Sequence, residues 1–129
     1  AAAWWEDRMT KEQKGKYAEL LVLARLIKDG KTIAVPFGNQ SGWDVLVEGR
    51  DGWEKWQIKT AYRREGRKSI YVDCIRSGDP KSKIRSRQYK QGDFDYLIAV
   101  SPETGEMWKF PFSQIVGRRC LILTEKYQW

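Results

Sequence analysis

The stretch WDVLVEGRDGWEKWQIKT, residues 43–60, decides the fold of this chain. Apolar and polar side chains alternate on both sides of Asp51-Gly52, a dipeptide that is typical of tight β-hairpin turns. The pattern predicts two antiparallel strands at residues 43–48 and 53–61. These strands should be neighbours in one sheet, because the two arms of a hairpin pair with each other.

Four residues of this hairpin bring polar groups together. Side chains two apart in a strand point to the same face, so Gln57 and Lys59 should project together. Ile58 then points to the opposite face and leaves its backbone carbonyl near them. Asp44 lies on the neighbouring strand, so its carboxylate should converge on the same place.

This set of groups suits the hydrolysis of a phosphodiester, which needs a cation, an attacking water and a group that positions that water. Asp44, the Ile58 carbonyl and the Gln57 amide offer the oxygen ligands that Mg²⁺ prefers, and Lys59 fits the group that orients the water. On the residues alone, the alternative is an ordinary charge pair between Asp44 and Lys59 beside a solvated Gln57.

A long helix is predicted at residues 11–29, before the hairpin. Thr10 and Gln13 have the spacing of a capping box, and Gly30 stands where helices commonly end in a left-handed residue. Glu19 sets a carboxylate on an apolar face, where it would be costly unless it supported the metal site from behind its ligands or through water. Apolar residues run nearly all round the second half, which predicts that the helix is covered on more than one side: Ala18, Leu20, Leu21, Val22, Leu23, Ala24, Leu26 and Ile27.

Shorter segments complete the prediction of an α+β or α/β fold. Residues 76–92 are polar and basic, which indicates an insertion in the core. No repeat or linker divides the chain, so residues 1–129 are expected to form a single domain. The expected architecture is a mixed, mostly antiparallel β-sheet packed against the N-terminal helix, with further strands at 31–36, 69–75, 94–100, 107–110 and 121–124 and a helical turn at 112–116.

Composition narrows the possible functions. The 129 residues include 24 Lys and Arg against 17 Asp and Glu, a formal net charge of +7, and this favours nucleic acid over a membrane, since no segment is apolar enough to insert. The chain has no His, which excludes Ser-His, Cys-His and histidine-metal chemistry. Cys74 and Cys120 are too few for a zinc cluster or a disulfide scaffold. With no secretion signal, we expect an intracellular, reduced protein in the cytoplasm, the nucleoid or an organelle.

The order of helix Glu, strand Asp, hairpin and Gln-x-Lys resembles the PD-(D/E)XK nuclease superfamily, and in particular the branch that contains group I intron-encoded homing endonucleases. The segments that carry this resemblance are GKYAE (15–19), VPFG (35–38), WDVLV (43–47), QIKTA (57–61), DFDYLIAV (93–100) and GEMWKFP (105–111).

The resemblance implies a restriction-endonuclease-like core and four catalytic residues, Glu19, Asp44, Gln57 and Lys59. It also implies that Asp44, Gln57, Ile58 and Glu19 hold the metal. Two positions depart from the superfamily pattern. Trp43 replaces the proline, and Gln57 replaces the middle acid, although the homing branch is similar to this chain in using glutamine there.

Two basic clusters are candidates for DNA binding. The first consists of Lys81, Lys83, Arg85 and Arg87, which alternate with other residues. In an extended conformation these four cations would lie on one edge, and such an edge could bind phosphates along a groove or guanine bases. The second surrounds the turn after the Gln-x-Lys strand, where a β-ribbon tip could enter the major groove: Arg63, Arg64, Arg67 and Lys68. A solvated basic loop and an ordinary charged hairpin end are the respective alternatives.

Together, these features predict a site-specific endonuclease that depends on Mg²⁺, with Mn²⁺ as a substitute, and cuts double-stranded DNA as a homing endonuclease. A small site cuts one strand, so a duplex break calls for a homodimer or homotetramer. The alternatives are a Holliday junction resolvase of the same superfamily and a non-catalytic DNA-binding module. Trp4, Trp5 and Trp129 could contact another subunit, stack on DNA or pack on the body of the protein.

Overall fold

The computed structural model describes residues 8–38, 42–76 and 87–129. Helix α1 spans Lys11–Lys28, as predicted. The Thr10 side chain accepts a hydrogen bond from the Gln13 N–H at 3.1 Å, and Gln13 Oε1 accepts one from the Thr10 N–H at 2.9 Å. The capping box is therefore formed, and Gly30 beyond the other end has a left-handed φ of 76°.

The strands build one larger sheet and two smaller ones. The larger sheet has the order β1-β2-β3-β8-β9, in which β3 and β8 are parallel and the other neighbours are antiparallel. This confirms the expected mixed, mostly antiparallel sheet. The strands of the described residues are β1 (Ile33–Ala34), β2 (Val45–Gly49), β3 (Gly52–Thr60), β4 (Tyr62–Arg63), β5 (Ile70–Asp73), β6 (Ile75–Arg76), β7 (Arg87–Gln88), β8 (Tyr96–Val100), β9 (Met107–Pro111) and β10 (Cys120–Ile122).

The predicted hairpin is the centre of this sheet. β2 and β3 pair with Val45 opposite Trp56 and Gly49 opposite Gly52, so the two turn residues are Arg50 and Asp51, one position earlier than the predicted Asp51-Gly52 turn, and Gly52 begins β3. Because the register fixes which side chains share a face, Trp56 is buried toward one side and Gln57 faces the other.

Two cores lie on the two faces of the larger sheet. One core lies under α1 and holds Ala18, Val22, Leu26, Val45, Val47, Trp56, Ile58, Ile98, Val100 and Met107. The burial of each large apolar side chain in it contributes roughly 1.5–3 kcal/mol to the stability of the fold. The other joins the larger sheet to the small sheet β10-β5-β4 and holds Ala61, Val72, Cys74, Tyr89, Phe94, Leu97, Ala99, Trp108, Phe110, Phe112, Ile115 and Leu123.

The prediction that α1 is covered on more than one side is wrong. Leu20 is 54% exposed and Ile27 is 64% exposed, whereas Val22 and Leu26 are buried against the sheet. A count of apolar residues does not reveal how many neighbours a helix has, and here the sheet packs on one face of α1 only.

Several boundaries differ from the predicted ones. The expected strand 31–36 is reduced to β1, since Pro36 has no N–H to donate to a ladder. The expected strand 69–75 divides into β5 and β6, because β5 pairs with β4 and β10 whereas β6 pairs with β7 in a separate sheet. The predicted turn at 112–116 is a 3₁₀ helix, Phe112–Gln114.

The last residue of the described chain packs on the body of the protein, one of the three possibilities open for it. The Trp129 ring lies edge-on to Trp56, with 5.3 Å between centroids, and the Arg25 guanidinium lies 3.9 Å from the Trp129 ring centroid. Trp4 and Trp5 lie outside the described residues. None of the helices in the described part of the chain has the length and apolar character needed to cross a bilayer.

Candidate active site

Asp44 stands immediately before β2, where backbone hydrogen bonds to β3 fix its position. Its N–H donates to the Trp56 carbonyl at 2.8 Å, and its carboxylate Oδ2 accepts from the Ile58 N–H at 2.7 Å. Among the described residues, no group donates to the other oxygen, Oδ1. The hairpin therefore holds a half-buried carboxylate with one oxygen open to a further partner.

Burial raises the pKa of Asp44, because the ionised form loses hydration. The negative charge of Glu19 raises this pKa further, whereas the Ile58 N–H and the cations of Lys16 and Lys59 lower it. Asp44 thus senses both the helix acid and the strand lysine, as expected of groups in one site.

Lys59 lies on β3 and is half-buried. Its Nζ donates to the Ile75 carbonyl at 2.8 Å and lies 5.6 Å from the centroid of the Tyr89 ring. Burial lowers the pKa of Lys59, and the negative charges of Asp73 and Asp44 partly oppose this shift. The backbone carbonyl thus anchors the ammonium group.

Asp44 and Lys59 do not form the ordinary ion pair that the sequence left open as an alternative. Within the described ranges, the ion pairs within 4.0 Å are Lys16–Glu19, Arg25–Asp29 and Arg63–Glu103. Asp44 and Lys59 influence each other's pKa without forming an ion pair.

Glu19 enters the site from the middle of α1. It shares with Asp44 a cleft of about 450 Å³, which is also lined by Lys16, Val35 and Trp43. The Glu19 side chain is 25% exposed, and its Oε2 lies 3.4 Å from the Lys16 Nζ. The helix acid and the strand acid therefore face one solvent-accessible space.

Gln57 lies on the face of β3 that also carries Lys59. In the parallel register with β8, Gln57 is opposite Leu97 and Lys59 is opposite Ala99. The Gln57 side chain is half-buried and lines neither the cleft of Glu19 and Asp44 nor the neighbouring cleft that contains Ile58 and Lys59. Glu19 and Lys59 therefore lie near Asp44, whereas Gln57 is placed only on the face of β3 that carries Lys59.

The donor set suits a hard cation with few protein ligands. Among the described residues, no three His, Cys, Asp or Glu side chains form a group that could hold a metal ion. The two acids present, Glu19 and Asp44, would need neutral oxygens beside them, and the Ile58 backbone lies next to the Asp44 carboxylate. Mg²⁺ accepts such a set, because it usually keeps several water ligands.

The predicted DNA-binding clusters have different outcomes. Lys81, Lys83 and Arg85 lie outside the described residues, and of Arg87 the structure describes only the backbone in β7. The second cluster is exposed around the turn between β4 and β5, where Gly66 has a φ of 74°.

Two arginines of this second cluster have partners within the protein. Arg63 donates to the Lys68 carbonyl at 2.6 Å and lies 3.9 Å from Glu103. The Arg64 guanidinium lies 4.5 Å from the centroid of the Tyr71 ring. These contacts hold the base of the basic turn against the small sheet.

Sequence reasoning missed three residues near the site. Lys16 borders the acidic cleft and precedes Glu19 by three positions, a helical spacing that could have identified it. Asp73 lines the cleft of Lys59 from β5, and Phe37 is fully exposed in the loop beside the cleft of Asp44. No local pattern points to these last two residues, since their place depends on long-range packing.

Comparison with known proteins gives concordant matches. The family model described as PD-(D/E)XK endonuclease matches residues 9–126. Protein 5.3 of Escherichia phage T7 is 27% identical over 112 residues, which are 87% of this chain and 89% of that protein. The structure of the bacterial homing endonuclease I-Ssp6803I superimposes with a TM-score of 0.80 at 23% identity, over 92% of this chain and 80% of the other. This last likeness shows a shared fold and confirms the restriction-endonuclease-like core.

Proposed function

The chain belongs to the PD-(D/E)XK endonuclease family, and we propose that this DNA endonuclease depends on Mg²⁺ and cuts both strands of duplex DNA at a specific sequence, as a homing endonuclease. The observation that carries the proposal is the 2.7 Å bond from the Ile58 N–H to Asp44 Oδ2. It fixes a half-buried carboxylate beside the acid of α1 and the lysine of β3.

Four residues would hold the cation. Asp44 offers its open Oδ1, the Ile58 carbonyl and the Gln57 amide offer neutral oxygens, and Glu19 acts from across the cleft. Bound there, Mg²⁺ supplies a positive charge opposite the scissile phosphate and makes a coordinated water more acidic. The raised pKa of Asp44 supports this role, because a carboxylate that burial has deprived of water gains more from a cationic partner.

Lys59 would orient the attacking water. Its anchor on the Ile75 carbonyl uses one of the three ammonium hydrogens and leaves two for water and phosphate oxygens. Since the side chain is half-buried, its position is restricted before substrate arrives, and this reduces the reorganisation needed during the reaction.

A break in both strands needs two such sites. We therefore include a homodimer or homotetramer in the proposal, with a symmetry axis that relates the two cuts. Light scattering of the protein with its DNA target tests this part, and a monomer that cuts both strands would contradict it.

Cleavage of duplex DNA with randomised sequence, followed by sequencing of the ends, tests the activity. We expect a recurring target cut on both strands with Mg²⁺ or Mn²⁺, and the same assay on a four-way junction separates this enzyme from a junction resolvase. Uniform cutting, or preference for the junction, would overturn the homing assignment.

Variants in the hairpin test the assigned residues. Asp44→Asn should lower the cleavage rate about a thousandfold, equivalent to about 4 kcal/mol, and Lys59→Met about a hundredfold. Asp51→Asn is the matched control, because it makes the same charge change in the same hairpin and Asn-Gly is as favourable a turn. Normal cleavage by Lys59→Met would show that the site is assigned wrongly.

Gln57 favours one other function. A neutral side chain in place of an acid weakens cation binding, and a chain that kept the fold without catalysis would be a DNA-binding module. Calorimetry with Ca²⁺ separates the two functions. Binding that disappears in Asp44→Asn supports the endonuclease, and no binding to the wild type supports the module.

A further inference from the structure

A second cleft opens on the other side of Lys59, between the first half of α1 and the ends of β3 and β5. Its volume is about 410 Å³. Three lysines line it together with a glycine, and one acid lies at its far side. The lining residues are Lys11, Lys14, Gly15, Ile58, Lys59, Thr60, Tyr62 and Asp73.

Helix geometry explains why this cleft exists. Lys11, Gly15, Ala18 and Val22 lie on one face of α1, since they are spaced by four, three and four residues. The later part of this face is buried on the sheet, where Ala18 and Val22 are 0% exposed. The earlier part extends past the packed region, so its lysines border open space.

The charge in the cleft is strongly positive. The Asp73 carboxylate already accepts a hydrogen bond from the Tyr62 hydroxyl at 2.6 Å. Lys11 and Lys59 are close enough for the charge of Lys11 to lower the pKa of Lys59. Like charges held together in this way favour an anion between them.

Gly15 is the unusual member of the lining. Glycine is less favourable than alanine inside a helix, so a reason for it is needed. A Cβ at this position would meet no atom within 4 Å, and the backbone has helical geometry rather than the left-handed φ that favours glycine. Neither packing nor conformation of this chain requires a glycine, whereas close approach of a ligand backbone would.

The positive surface continues beyond this cleft. A neighbouring cleft of about 300 Å³ shares Lys14 and Tyr62 with it and adds Arg63, which lies 3.9 Å from Glu103 in the same lining. From Lys59, two adjoining clefts therefore lead past the helix lysines to the base of the basic turn. Three lysines spread over two adjoining clefts suit a chain of phosphates better than a single anion.

From this arrangement we infer that the cleft of Lys11, Lys14 and Gly15 binds the phosphate that neighbours the scissile phosphate on the cut DNA strand. The inference rests on the proposed endonuclease function. Lys11 and Lys14 pair with the phosphate oxygens, and the bare backbone at Gly15 lets the sugar-phosphate chain lie against the helix. The strand is thereby aligned with Asp44 and Lys59.

Substitution of the glycine separates stability from substrate binding. Gly15→Ala should raise Tm by a few degrees, since alanine favours the helix, and should weaken the binding of duplex DNA in Ca²⁺ severalfold. Gly15→Leu should weaken it at least tenfold and slow cleavage by a similar factor. Ala24→Leu is the control, because Ala24 is exposed on the same helix away from the cleft.

The lysines are tested by salt dependence. Lys11→Gln with Lys14→Gln should reduce the slope of log K against log salt by about 1.8, which is about 0.9 for each lost phosphate contact. Lys28→Gln, an exposed lysine at the other end of α1, should leave the slope unchanged. The inference would be overturned if Gly15→Leu and the double lysine variant bound duplex DNA with the affinity and the salt slope of the wild type.

The proposed function can fail separately. If the wild type binds duplex DNA and never cuts it, the endonuclease proposal fails, while the salt slopes still decide whether this cleft holds phosphate. If the wild type cuts DNA and Gly15→Leu cuts it equally well, the endonuclease proposal stands and the inference fails.

Discussion

The two halves of α1 share one helix and differ in what they contact. In the second half, Val22 and Leu26 are buried against the sheet, at 0% and 1% exposure. In the first half, Lys11 and Gly15 are exposed and border open space beside β3. Glu19 stands at the boundary. The comparison shows that the buried second half of α1 stabilises the fold. Because the helix is rigid, this packing also fixes the direction in which the exposed first half extends.

The largest expected effect comes from removing packing in the second half. Leu26→Ala should lower the free energy of unfolding by about 3 kcal/mol, since it leaves a cavity in a close-packed core. Urea denaturation measures this change, and DNA cleavage well below Tm should be unaffected. Ile27→Ala is the control, because Ile27 is 64% exposed. Equal destabilisation by both variants would contradict the division of the helix.

A substitution at the boundary should affect activity without stability. Glu19→Gln is expected to reduce metal-dependent cleavage by about tenfold to a hundredfold, as is typical for groups that support metal ligands. The free energy of unfolding should change by less than about 1 kcal/mol, since the Lys16 partner of Glu19 is 67% exposed and such pairs contribute little. Single-turnover cleavage over a range of Mg²⁺ concentrations measures the effect. Glu12→Gln in the first turn should leave activity unchanged.

The smallest effect is expected at the start of the helix. Thr10→Ala removes the oxygen that accepts from the Gln13 N–H and should lower stability by about 1 kcal/mol. Thr10→Ser keeps a hydroxyl and serves as the control. Hydrogen exchange should increase at the first-turn amides of Thr10→Ala, because few buried contacts hold this half. Exchange that increases equally along the whole helix would contradict a separate first half.

Short-range sequence patterns were sufficient to predict the helix and the hairpin that position the site. The Thr10 and Gln13 spacing predicted the start of α1, and the turn signal at Asp51-Gly52 predicted the hairpin that puts Asp44 beside β3, although the turn itself lies one residue earlier. Both patterns act over a few residues, because the residues that form the pattern are the same ones that contact each other in the structure. The alternation along β3 then sufficed to put Gln57 and Lys59 on one face.

Long-range packing decided what the sequence could not reveal. The parallel pairing of β3 with β8 and the anchoring of Lys59 on the Ile75 carbonyl join parts of the chain that carry no signal for each other. The same limit explains the wrong expectation for α1, since Leu20 and Ile27 are as apolar as the buried residues between them.

The roles of the predicted site residues remain predictions that the variants above address. Sequence patterns identify which oxygen and nitrogen groups are available, and the fold brings Glu19, Asp44 and Lys59 into electrostatic contact. The position of Gln57 depends on its side-chain conformation as well as on the strand, so periodicity alone specified only its face.

The pairing of β3 with β8 has a consequence during protein synthesis. Trp56 lies opposite Tyr96 and Thr60 opposite Val100, so the strand that carries Lys59 lacks its inner neighbour until the ribosome has released residues 96–100. A partly translated chain therefore has no assembled reaction centre. The proposed site of this endonuclease therefore assembles only after β8 has joined β3 in the sheet.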